Sequence, residues 1–120
     1  IGNGLLELGS VDEAIACYSK GLEIDPAIAE LHNNLGTCLK KIGDLKSALD
    51  SYKHAVIIKP DYAEAHYNIG VTLSALGAVE DVISSYEKAL KINPDYVDAH
   101  YNLSEELLRD HQFELGFAEH

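Results

Sequence analysis

The 120-residue chain has no methionine and no tryptophan, three prolines, two cysteines, and nine lysines and arginines against twenty aspartates and glutamates. Each shortage excludes something. A formal net charge of −11 repels polyphosphate and anionic lipid, which sets aside nucleic acid and membrane surfaces as partners. Hydrophobic residues make up 47% of the chain, ample for a core, yet no apolar run approaches the roughly 20 residues that span a bilayer. Cys17 and Cys38 fall in no C-x-x-C spacing and read as two reduced thiols acting as small hydrophobes. That usage fits a reducing compartment, and the cytoplasm is the expected location.

What the chain does have is periodicity. Pro26, Pro60 and Pro94 lie 34 residues apart, as do Tyr18, Tyr52 and Tyr86, and Gly9, Gly43 and Gly77. His32, His66 and His100 keep the same spacing, and so do Asn34, Asn68 and Asn102. Gly36 and Gly70 continue the series until Ser104 replaces the glycine. The punctuation predicts helices: glycine ends one in a left-handed turn, proline stops the next, and Asp44, Asp61 and Asp95 stand where a side chain can cap the helix that follows. Seven helical segments are expected, broken near Gly9, Pro26, Gly43, Pro60, Gly77 and Pro94. Loops of three or four residues make successive helices antiparallel.

A 34-residue period with this order of residues resembles the tetratricopeptide repeat family: an aromatic slot, Leu-Gly, Tyr, then Ala, an aromatic and Pro. Histidine replaces the leading tryptophan here, and Leu39, Leu73 and Leu107 replace the first tyrosine. The resemblance covers essentially the whole chain. It implies an all-α fold of antiparallel helix-turn-helix repeats stacked as a right-handed α-solenoid. A single array is expected, with partial repeats at 1–28 and 97–120 flanking full ones at 29–62 and 63–96. On that count the chain starts inside one helix and stops inside another, the expectation for an internal piece of a longer protein whose cut ends can self-associate. Ile1, Leu5 and Leu8 at one end, and Phe113 and Phe117 at the other, would then fray first. Gly36 is expected against Ala48 and Ala55, and Val82, standing where Ala14 and Ala48 do, is expected to splay the third repeat. The fourth repeat is atypical, with His111 in the glycine slot, Gly116 in an alanine slot, and Glu106 in the normally covered slot of Cys38 and Thr72.

At 100° per residue, His66, Ile69, Gly70 and Leu73 share one arc of their helix and should face the core. Glu64, Tyr67, Asn68, Val71 and Ala75 fall on the opposite arc, which by resemblance lines a concave groove. The candidate peptide-binding residues are therefore Asn33, Asn34, Thr37 and Lys41 from one repeat, Tyr67, Asn68 and Val71 from the next, and Tyr101, Asn102, Glu105 and Arg109 from the last. An asparagine column, one per repeat, can hold an extended peptide backbone, because each amide offers donors and an acceptor. It also resembles the ladder that grips protein substrates in O-linked N-acetylglucosamine transferases. The competing reading is structural, since asparagine is common at this position of the family.

Other patterns carry less. Three histidines evenly spaced along helices roughly 8 to 10 Å apart cannot converge on one zinc, so they are expected to fill the tryptophan slot of the packing face. Gly2-Asn3-Gly4 follows no strand and does not form a phosphate loop, and the Asn102-Leu103-Ser104 sequon lies inside a helix. Glu30, Glu64 and Asp98 suit helix N-termini. They also count against the co-chaperone pattern, in which repeats clamp an acidic peptide terminus with lysines, asparagine and arginine, because the third-repeat clamp positions hold Glu64 and Asn68. No nucleophile, base and orienter recur off the template, so neither catalysis nor a cofactor or metal is expected within these residues. The expected function is a scaffold that binds a peptide or protein segment. The alternative is the substrate-binding arm of a glycosyltransferase whose catalytic domain lies elsewhere.

Overall fold

The computed structural model describes the backbone over residues 3–118 and the side chains over residues 10–109, Val79 apart. Six helices occur among the described residues, with no strand: α1 (Asn3–Ile24), α2 (Ala29–Lys41), α3 (Leu45–Ile58), α4 (Ala63–Leu76), α5 (Val79–Ile92) and α6 (Val97–Ala118). Each packs on its neighbours in the chain, and α2 also touches α4, so helix pairs stack in file as a solenoid. The radius of gyration is 16.3 Å, beyond the roughly 14 Å of a compact chain this long.

Local chemistry explains most boundaries. Gly43 and Gly77 adopt φ of 89° and 84°, the left-handed conformation that lets the chain leave α2 and α4. The next backbone N–H then reaches back to close each turn, Asp44 to Leu39 O at 2.9 Å and Ala78 to Leu73 O at 3.0 Å. Asp44 caps α3 as its sequence predicts, accepting from the Ser47 N–H at 3.3 Å.

Several expectations are corrected. Six helices replace seven because α1 runs through Gly9. Breaking a helix forfeits backbone hydrogen bonds, and only packing of the leading helix on its partner can offset that; with eight residues before Gly9 the continuous helix keeps its bonds instead. α6 likewise continues through His111, where the other copies have glycine. Asp61 does not cap α4: the residue at that boundary is Tyr62, which makes no side-chain cap bond. In the equivalent loops Asp25 and Asn93 instead accept the N–H groups of Ala27 and Asp95, at 3.1 and 3.2 Å. The fraying expected at Ile1, Leu5, Leu8, Phe113 and Phe117 lies outside the described side chains, as do those of His111 and Gly116.

The core joins Ala48, Tyr52, Ile69, Leu73, Val82 and Tyr86. Gly36 meets Tyr52 and Ala48, whereas Ala55 packs with Ala29 and Ala65 in a second cluster, so the expected Gly36–Ala55 contact is replaced by the tyrosine ring. Val82 does not splay the third repeat. It is fully buried, and a Cβ placed on Gly70 would lie 2.5 Å from Tyr86, closer than the 2.8 Å from Gly36 to Tyr52. The histidines are also corrected. They do not sit in the core as tryptophan stand-ins: His32, His66 and His100 are half-buried or exposed, and each Nε2 meets the carbonyl of the preceding proline, Pro26, Pro60 or Pro94, at 2.9, 2.9 and 2.7 Å. A carbonyl only accepts, so each Nε2 carries the proton. The imidazole latches a loop, a polar task for which tryptophan has no equivalent reach.

Candidate functional site

The candidate residues ride on α2, α4 and α6, the leading helix of each pair, on the arc away from Ile69 and Leu73. The structure divides them into three groups. The first joins the helices to one another. Asn33 is 2% exposed and donates from Nδ2 to Glu64 Oε1 at 3.4 Å, while its Oδ1 accepts from Asn68 Nδ2 at 3.0 Å. One repeat on, Asn102 Nδ2 donates to the Tyr67 hydroxyl at 3.1 Å. Both asparagines reach back to the preceding leading helix, and both are half-buried. Asn34 is exposed, so the column divides, with two members bonded across a helix joint and one facing water.

The second group surrounds the phenols. Thr37 Oγ1 donates to its own helix at Asn33 O, 3.2 Å away, and lies 2.9 Å from the Tyr52 hydroxyl. Tyr67 packs between Tyr86 and Tyr96, with ring centroids 5.8 and 5.0 Å away. Burial, followed by the charges of Glu64, Tyr67 and Asp98, pushes the Tyr96 phenol up to about 12. The same causes in lesser degree raise Tyr67, where burial leads and Asp98 adds to it. These shifts register an acidic face.

The third group converges. Val71, Asn102, Glu105 and Arg109 line a pocket of about 160 Å³ between α4 and α6, completed by Ser74, Tyr86 and Glu106. Glu106 is 4% exposed; its Oε1 accepts from Ser74 Oγ at 3.2 Å and from Arg109 Nη1 at 2.8 Å. Sequence reasoning placed Glu106 in a covered slot but did not assign it to this pocket, and it gave Ser74 and Tyr86 no part in it. The signal was there in Glu106, a charge where the other copies carry cysteine and threonine. Lys41 and Tyr101 stay exposed, Tyr101 by 63%. Burial lowers the Lys40 ammonium, with the neighbouring Lys41 charge second. Among the described residues no cluster of histidine, cysteine, aspartate and glutamate could hold a metal, and no helix is long and apolar enough to cross a membrane.

Stacked helix pairs with one polar face along their leading helices define a helical-repeat solenoid. A TPR repeat model matches residues 2–43 and 39–77, and tetratricopeptide repeat models match residues 63–96 and 85–116. The chain belongs to the tetratricopeptide repeat family. No curated protein matches it. Among solved structures it is similar to the first TPR of Spaghetti (RPAP3) bound to the HSP90 peptide SRMEEVD, at 28% identity and a TM-score of 0.81, covering 90% of this chain and 86% of that one. The second TPR domain of human RPAP3, in complex with the HSP70 peptide SGPTIEEVD, gives 28% identity and a TM-score of 0.77 over 88% of each chain. The Thermobaculum terrenum O-GlcNAc transferase gives 34% identity and a TM-score of 0.77, over 83% of this chain but 19% of that enzyme.

Proposed function

We propose that the chain is a protein-interaction scaffold that holds an extended peptide or protein segment along the face formed by α2, α4 and α6. The observation that carries this reading is the likeness, over nine-tenths of the chain, to a tetratricopeptide domain that is bound to a peptide. Physical support comes from that face itself. Asn34, Lys41, Tyr101 and Arg109 stand exposed along it, so hydrogen-bonding and aromatic groups are available without unfolding anything. The acidic peptides of the two RPAP3 domains are not carried over, because Glu30, Glu64, Asp98 and Glu105 outnumber Lys41 and Arg109 along the same face. The glycosyltransferase arm gains no separate support: the array shared with the bacterial enzyme is shared equally with the RPAP3 domains.

The test is a map of binding. A random dodecapeptide array supplies the tightest binder, which is titrated into isotopically labelled protein. Amide shifts should concentrate in α2, α4 and α6, and Tyr101→Ala should weaken binding about tenfold, as loss of an aromatic anchor does, without altering the circular dichroism. Shifts confined to α3 and α5, or an array with no binder, would overturn the reading.

A further inference from the structure

We propose that the pocket between α4 and α6 takes a lysine or arginine side chain of the bound segment, with Glu106 as its counter-charge. The inference rests on the groove reading above and names what one position of that groove selects.

The argument is one of unmatched hydrogen-bonding capacity. Glu106 is nine-tenths buried, and both of its described donors, Ser74 Oγ and Arg109 Nη1, share Oε1. Among the described residues none donates to Oε2. Asn102, on the same wall, spends its Nδ2 on Tyr67, and no described residue donates to its Oδ1. Glu105 adds an exposed carboxylate to the rim. Every group left over is therefore an acceptor, except the remaining N–H groups of Arg109. That arginine is 64% exposed along its side chain and meets Glu106 from the solvent side.

A buried carboxylate oxygen without a donor is costly, and the occupant that satisfies it must bring N–H groups. An ammonium offers three and a guanidinium five, and either restores neutrality to a lining that carries two carboxylates against one guanidinium. The space suffices, since 160 Å³ holds roughly ten water-sized occupants. Val71 and Tyr86 supply apolar wall for an aliphatic stem. The feature belongs to this repeat alone, because the equivalent positions in the preceding copies are Cys38 and Thr72, which cannot act as counter-charges.

The experiment uses fluorescent octapeptide pools in which one position is held as lysine, arginine, norleucine, glutamine or glutamate and the others are randomised, with binding read by anisotropy. At physiological ionic strength the lysine and arginine pools should bind about tenfold more tightly than the norleucine pool, the size of one charge-assisted bond. Glu106→Gln should reduce that preference to about twofold, while Asp50→Asn, which removes an exposed carboxylate on α3, should leave it intact and so exclude a simple effect of net charge. Should Glu106→Gln fail to fold, Glu105→Gln on the exposed rim should still lower the preference about threefold. Equal binding of all pools, a preference for glutamate, or a cationic preference that survives Glu106→Gln would overturn the pocket assignment and leave the groove standing. Binding of no pool would overturn both.

Discussion

The joint between α2 and α4 and the joint between α4 and α6 are built on the same asparagine and finished differently. At the first, Asn68 donates to Asn33, which donates to Glu64, so a chain of polar groups runs across two helices with almost no water on Asn33. At the second, Asn102 donates to the hydroxyl of Tyr67, whose ring is wedged between Tyr86 and Tyr96. The repeated residue thus fixes the spacing of the helices, while the residue one place earlier in the preceding repeat decides whether the joint is polar or aromatic. A column of identical residues in a sequence need not mean a column of identical jobs.

Substitution at the two joints should separate them. Asn68→Ala should have the largest effect, about 1 to 3 kcal/mol in urea unfolding, because it strands the buried amide of Asn33. A loss no greater than that of an exposed change would make the polar joint dispensable. Alkaline titration comes next and probes the aromatic joint. The Tyr96 phenol stands at about 12 in the fold against 10.0 ordinarily. Between those values the unfolded chain releases a proton that the folded chain keeps, so stability is whole below pH 10 and falls as pH rises towards 12. Tyr96→Phe should make that fall shallower without abolishing it, since burial also raises Tyr52, Tyr62, Tyr67 and Tyr86. An unchanged alkaline profile in the variant would remove Tyr96 from the joint. The smallest effects belong to the remaining asparagines: Asn102→Ala should cost about 0.5 to 1.5 kcal/mol, because a half-buried phenol can turn to water, and exposed Asn34→Ala less than about 0.5. Equal losses at Asn34, Asn68 and Asn102 would erase the difference between the joints.

What could be read from the chain before its structure follows the range of the forces involved. Gly43 and Gly77 end helices because their backbone conformation is a local matter, and the prolines stop them for the same reason. Gly9 carries the same letter and does not break α1, because a break has to be repaid by packing between helices. The asparagine column was visible as a 34-residue spacing, but its bonds cross at 35, an offset set by the relative tilt and shift of neighbouring helices. Likewise Glu106 announced itself as a charge in a covered slot, while its meeting with Ser74, 32 residues earlier, depends on how α6 lies against α4. His66 shared the arc of Ile69 and Leu73, yet its polar ring turned to the nearest carbonyl instead of the core.

That turn of the imidazole has a mechanical consequence. Three latches recur at equal steps, each tying the first turn of a leading helix to the bend that delivers it. A coil whose bends are all clamped by the same short bond has one pitch, and pulling its ends apart must open the clamps singly. The array is then a spring with a yield point at each bend, and replacing a single histidine would soften it at one known place.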